Sequence, residues 1–218
     1  MPTAVPLAIP PAGLPGLLEL PRQPRGIVVF AHGSGSGRMS PRNRAVAASL
    51  REAGFATLLS DLLSPAEAAD RRAAFDIPLL AARLEAAARC AAVQPGLAGL
   101  PVGLFGASTG AAAALAVAAA GRVPVGAVVS RGGRPDLAGA AVLGAVRAPT
   151  LLLVGGADHA VLALNREALG HLSCPAELAV IQGAGHLFEE PGALEEVARL
   201  ARGWFARWLL PVAADVAR

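Results

Sequence analysis

Ser108, Asp158 and His186 are the residues of this 218-residue chain whose types and positions suit nucleophilic attack on a carbonyl. Ser108 lies in Gly106-Ala107-Ser108-Thr109-Gly110, directly between an apolar run, Leu100 to Phe105, and a helix-forming run, Ala111 to Ala120. Nothing but the pentapeptide separates the two, so the serine sits on a sharp strand-to-helix turn, the layout of a nucleophile elbow. Such a bend crowds the residues two before and two after its centre, and glycine stands at both places. The plainer reading of the same pattern is a serine capping a helix N-terminus. A serine hydroxyl is a weak nucleophile until a base takes its proton, and a carboxylate ordinarily orients that base. Of the four histidines, His32, His159, His171 and His186, the last follows the apolar run AVI through a glycine-bearing turn, where the carboxyl end of a parallel strand would place a base. Asp158 follows TLLLV through Gly155-Gly156-Ala157 and is the candidate acid, with a capping role for the next helix as its alternative.

Attack on a carbonyl builds negative charge on its oxygen, and two backbone N–H groups are expected to receive it. One is that of Thr109, just after the nucleophile at a helix N-terminus. The other is assigned to Ser34, in the small-residue loop His32-Gly33-Ser34-Gly35 after the apolar strand Ile27 to Ala31. His32 then has a structural role, hydrogen-bonding within that loop. The same glycine-rich loop, with Asp61 after the next strand, has a competing reading as a dinucleotide phosphate cradle. The spacing argues against it, because a G-x-G-x-x-G motif starting at Gly33 needs glycine at position 38, where the chain has Arg38.

The elements that must hold these groups alternate. A β-hairpin around Pro6 to Leu20 precedes strands at 27–31, 55–60, 100–105, 123–129, 150–154 and 177–181, with helices near 41–53, 77–92, 111–120, 137–146, 161–169 and 192–210. Asp70, Arg71 and Arg72 fall in a polar loop. The alternation predicts an α/β fold, a doubly wound, mostly parallel sheet with helices on both faces. The length fits one domain over 1–218, with 1–25 as hairpin and leader. Hydrophobic residues make up 54% and charged residues 16% of the chain, which excludes a disordered protein.

All 19 basic residues are arginine, net charge is only +3, and no basic stretch is interleaved with aromatics, so nucleic-acid binding is not expected. Without lysine the chain has neither a P-loop nor Schiff-base chemistry. Cys90 and Cys174 lack metal-ligand spacing and read as small core residues. The uncharged stretch from Cys90 to Gly121 is broken by Pro95, Pro101 and several glycines, so a buried strand-turn-helix explains it better than a membrane span. The proline-rich start has no basic residue before Arg22 and does not fit a signal peptide. A cytoplasmic protein with no metal or other cofactor, no membrane and no nucleic acid is the expectation.

The segments FAHGSGSGRMSPRNR, GLFGASTGAAAAL, VVSRGGRPDL, LLLVGGAD and GAGHLFEEPGALEEVA together resemble the dienelactone hydrolase-like branch of the α/β-hydrolases, from about Gly26 to Trp208. The order Ser108, Asp158, His186, with gaps of 50 (108 to 158) and 28 (158 to 186), matches the Ser, acid, His order of that fold. The resemblance implies a cofactor-free hydrolase of small esters or lactones with nucleophile Ser108, acid Asp158 and base His186, and little or no cap domain. Founding members use cysteine as nucleophile, so serine here points to a general carboxylesterase. Acyl transfer to another acceptor, thioester cleavage and a non-catalytic binding module on the same fold are the rival functions. Arg38, Arg42, Arg131 and Arg134 fall at the expected pocket rim, and Arg42 and Arg131 are the candidates for holding a substrate carboxylate. Solvated surface charge is the alternative for all four.

Overall fold

Strands that are apolar on both faces must be covered on both faces, and the chain supplies a helix after nearly every one. The computed structural model describes residues 3–210 and contains β1 (Thr3–Ile9), β2 (Leu14–Leu20), β3 (Gly26–Ala31), α1 (Pro41–Glu52), β4 (Phe55–Ser60), α2 (Pro65–Ala69) and α3 (Arg71–Ala74). It continues with α4 (Ile77–Ala92), β5 (Val102–Ala107), α5 (Thr109–Ala120), β6 (Val125–Arg131), a 3-10 turn (Pro135–Ala138), α6 (Ala140–Ala145), β7 (Thr150–Gly155), α7 (His159–His171), β8 (Ala176–Ile181) and α8 (Ala193–Leu209). The predicted leader begins at residues 1 and 2, which lie outside the described residues, as does 211–218 of the predicted domain.

One eight-stranded sheet runs in the order β1-β2-β4-β3-β5-β6-β7-β8. Only the pairs made by β2 are antiparallel, so β3 to β8 form a continuous parallel block whose carboxyl ends share one edge. Alternation along β3 shows how the two layers form. Ile27, Val29 and Ala31 enter the core beneath α4 and α5, while Val28 and Phe30 enter the core beneath α1 and α8. α7 covers the α5 side of β7 through Val161 and Leu162 against Val154. The terminal helix buries Val197, Ala198, Ala201 and Phe205 at helical spacing, with Trp204 and Leu209. Gly103 of β5 lacks a side chain where the Phe205 ring crosses it, since a Cβ there would lie 2.6 Å from the ring. Among the described residues no helix is long and apolar enough to cross a membrane.

The boundaries differ from the sequence reading mainly at element ends. β5 and β6 run to Ala107 and Arg131, later than expected, because strand pairing continues where the residues turn small or polar. The polar loop is instead two short helices. Ser64 caps α2 in a box with Glu67, and the Asp70 side chain accepts from Arg72 N to start α3. The S-x-x-E signal for the first was present in Ser64-Pro65-Ala66-Glu67. The predicted helix over 137–146 is a 3-10 turn followed by α6, divided at Gly139, whose φ is +84°.

Candidate active site

The parallel block brings the end of β6, with Arg131, and the loops after β3, β5, β7 and β8, with Ser34, Ser108, Asp158 and His186, to one edge. Ser108 has φ 51° and ψ −122°, a backbone state costing on the order of 1–3 kcal/mol that the surrounding packing must hold. The turn is enforced from both sides. A Cβ on Gly106 would lie 2.6 Å from the Gly110 carbonyl oxygen, and one on Gly110 would lie 2.6 Å from the His32 carbonyl oxygen. In an open helix Gly→Ala gains about 1 kcal/mol. Here the collision is with backbone, so Gly110→Ala is expected to destabilise by about 3 kcal/mol in a urea melt. A variant as stable as the parent would show that the elbow is looser than this packing implies.

Ser108 occupies the N-cap position of α5, yet its side chain makes no capping hydrogen bond. Its backbone is tied into the sheet edge instead: Ser108 N donates to Arg131 O (3.3 Å), and Ser108 O accepts from Ala111 N and Arg134 N (both 3.1 Å). The alternative reading of this serine as a side-chain cap therefore does not describe it.

His186 Nδ1 lies 2.6 Å from Asp158 Oδ2. A carboxylate only accepts, so Nδ1 carries the proton and Nε2 presents its lone pair. The other oxygen, Oδ1, accepts from Val161 N at 3.4 Å, so Asp158 also caps α7. One oxygen thus contacts His186 and the other caps α7. His186 is exposed, on a loop pinned at several points. A Cβ on Gly155 at the end of β7 would meet the Gly185 carbonyl at 2.5 Å. Gly185 N donates to Glu190 Oε1 (2.9 Å), and buried Phe188, at φ 55°, anchors the loop beside Gly132. Sequence reading missed Phe188 and Glu190, because neither residue type signals a left-handed backbone or a loop clamp.

Ser108 follows β5 and His186 follows β8, with β6 and β7 between them in the sheet, and among the described residues no hydrogen bond joins the two. Among the described residues that hydroxyl has no hydrogen-bond partner; it faces Gly33, where a Cβ would lie 3.5 Å from Oγ. Gly132, after the intervening β6, abuts His186, and a Cβ on this glycine would lie 3.6 Å from Cε1 of the ring. Such contacts are often long without substrate and shorten when the reacting complex forms. Thr109 is the first residue of α5, and Ser34 follows Gly33 in the loop crossing Ser108.

His32 holds that loop. Its Nε2 accepts from Leu62 N (2.9 Å), so Nδ1 carries the proton and donates to Gly33 O (3.0 Å). Asp61 works from the same strand end, accepting from Arg38 N at 2.7 Å and pairing with the Arg38 guanidinium. Burial pushes the His32 imidazole below its ordinary value of 6.5, outweighing the Gly33 bond and the nearby Asp61 charge. The folded state thus binds this proton less readily than the unfolded chain. Stability is expected to fall as pH drops from about 6.5 toward the lowered value, and to level off beneath it. Melting temperature followed from pH 8 to 4 should decline less steeply in His32→Gln than in the parent; parallel curves would remove His32 as the cause.

The four rim arginines separate. Arg38 pairs with Asp61, Arg134 with Asp136 (2.7 Å) and Arg42 with Glu189 (3.1 Å). Arg131 is not a solvated surface charge: it is 8% exposed, and its Nη1 has no partner among the described residues. Burial, with the Arg42 charge adding to it, draws its pKa down to about 10. Cys90 and Cys174 are half-buried free thiols packed against the larger core.

The dienelactone hydrolase family model matches residues 14–208. Two Mycobacterium tuberculosis proteins, each named "Putative phosphoribosyl transferase", are 60% identical over 195 residues, covering 89% of this chain and 44% of theirs. The chain thus spans less than half the length of these curated relatives. Among solved structures, dienelactone hydrolase from Anabaena variabilis superposes with TM-score 0.90 at 51% identity, over 96% of this chain and 98% of that one. Est1E from Butyrivibrio proteoclasticus shares the fold at TM-score 0.79 and 15% identity, over 94% and 98%. With its parallel block, strand-to-helix elbow and family match over most of its length, this chain belongs to the dienelactone hydrolase family of α/β-hydrolases.

Proposed function

We propose that the chain is a serine hydrolase that cleaves carboxylic esters or lactones of small substrates through an acyl-enzyme. The observation carrying this reading is an uncapped serine hydroxyl on a strained turn after β5, at the same sheet edge as a histidine oriented by an aspartate in the loops after β8 and β7. His186 Nε2 takes the Ser108 proton as Oγ bonds to the substrate carbonyl carbon, and the carbonyl oxygen becomes an oxyanion facing the N–H groups of Thr109 and Ser34. Collapse expels the alcohol, which takes the proton back from His186. Water then repeats the sequence on the acyl-enzyme, with His186 as its base, and releases the acid and free Ser108. Asp158 holds the imidazole in the competent tautomer throughout and keeps its negative charge beside the imidazolium. The mycobacterial relatives are named for a transferase over a length of which this chain matches 44%, so that name does not by itself describe the matched part.

A fluorophosphonate probe, which phosphonylates an activated serine, should label the protein at Ser108. A panel of p-nitrophenyl esters and lactones should show turnover. Absence of both would leave the rival reading, a binding module on the same fold.

A further inference from the structure

α7 turns Val161, Leu162, Asn165 and Ala168 inward, a buried stripe at helical spacing in which a single member is polar. Asn165 is fully buried there, at a place where a leucine would pack without polar cost. Its Nδ2 donates to Gly133 O at 2.9 Å and to Val161 O at 2.8 Å. Two carbonyls can be met only by the amide nitrogen, so the orientation of this side chain is fixed and both hydrogens on Nδ2 are used. The remaining Oδ1 is buried without a partner among the described residues. Stability alone does not favour a side chain that leaves a buried acceptor unpaired, and what asparagine adds over an apolar residue is the bond across to Gly133.

Gly133 belongs to the turn from Arg131 to Arg134, which touches both Ser108 and His186. Ser108 N donates to Arg131 O and Arg134 N donates to Ser108 O, so the turn grips the backbone of the serine on both sides. Gly132 N donates to Leu153 O at 2.7 Å, and Gly132, at φ 50°, lies against the ring and the carbonyl of His186. Among the described residues no side chain but Asn165 hydrogen-bonds to the backbone of this turn. On its other side Asn165 meets the helix that Asp158 caps, because Asp158 Oδ1 accepts from Val161 N while Asn165 Nδ2 donates to Val161 O. One amide thus joins the acid's helix to the turn that holds the serine and the histidine.

We propose that Asn165 is a positioning residue, whose amide locks the turn from Arg131 to Arg134 onto α7 and so fixes Ser108 and His186 relative to Asp158. Being fully buried, it acts through these groups and not on substrate. Its catalytic consequence rests on the serine-hydrolase reading, whereas its hold on the turn does not. A misplacement of about 1 Å among reacting groups costs roughly 100-fold in rate, so loss of this tether is expected in kcat and not in KM.

The test uses the full chain and Asn165→Leu, with Asn165→Ala as a smaller replacement should leucine not be accommodated. Ala168→Gly, on the same stripe, is the comparison, since it weakens α7 without touching the turn. All are assayed well below their melting temperatures with p-nitrophenyl butyrate, and active sites are counted by fluorophosphonate labelling carried to completion. In the Asn165 variants kcat per labelled site should fall roughly 10- to 100-fold with KM within about twofold of the parent, while Ala168→Gly keeps kcat within about twofold. Amide hydrogen exchange gives a readout independent of turnover. The Gly132 and Arg134 N–H groups should exchange about 10-fold faster or more in the Asn165 variants, and at the parent's rate in Ala168→Gly. Unchanged kcat, unchanged exchange at Gly132 and Arg134, or equal losses in Ala168→Gly would overturn the proposal. Should the parent neither label nor turn over the ester, the hydrolase reading fails by itself, and exchange at Gly132 and Arg134 still decides whether Asn165 holds the turn.

Discussion

Ser108→Ala is expected to lower kcat by about 10⁴- to 10⁶-fold, the range seen when the nucleophile of a serine-histidine-aspartate site is removed. The loss should come without a loss of fold. Among the described residues the Ser108 hydroxyl makes no hydrogen bond, and its N–H and C=O bonds to Arg131, Ala111 and Arg134 belong to the backbone and survive the substitution. Alanine meets the same positive φ that serine does, so the turn remains as strained as before. The melting temperature should therefore stay within a few degrees of the parent while turnover and fluorophosphonate labelling both vanish. A variant keeping a tenth or more of the parent's ester turnover would place the nucleophile elsewhere.

Asp158→Asn should reduce kcat by about 10⁴-fold for a different reason. Asn can offer its NH₂ to Nδ1, which turns that nitrogen into an acceptor and moves the ring proton to Nε2. The imidazole then has no lone pair facing Ser108. The same substitution is nearly silent for the helix, because Asn caps as well as Asp and Oδ1 can still accept from Val161 N. Asp158→Ala removes both functions and should additionally lose about 1 kcal/mol from α7. Comparing the two variants separates the aspartate's orienting role from its capping role. Retention of activity within tenfold in Asp158→Asn would show that the 2.6 Å contact to His186 is structural only.

Several features of the site were legible in the residues because they are local. Glycine at 106 and 110 around a serine, between a strand-length apolar run and an alanine run, specifies the elbow through contacts made within a few residues and with the next strand. Alternating apolar runs of strand and helix length specified the parallel sheet. A parallel sheet in turn collects the residues after its strands at one edge, which is how Ser108, Asp158 and His186, spread over 79 positions, could be associated from the order of residues alone. The two short helices at 65–69 and 71–74 were missed although their capping residues were readable, since four or five residues show no periodicity.

By itself, then, the order of residue types determined the fold, the turn that carries Ser108 and the set of candidate partners. Only tertiary structure decided what depends on side-chain direction and on packing between distant segments. It divided Asp158 between His186 and Val161, set Phe188 in a left-handed backbone to anchor the histidine loop, and gave His32 its bonds to Gly33 and Leu62. It also distinguished four arginines that look alike in sequence, three with carboxylate partners and Arg131 buried without one among the described residues. A charge's neighbours are chosen by the strand alternation and helix approach that surround it, and those are long-range consequences of burying apolar surface, invisible in the spacing of the charge itself.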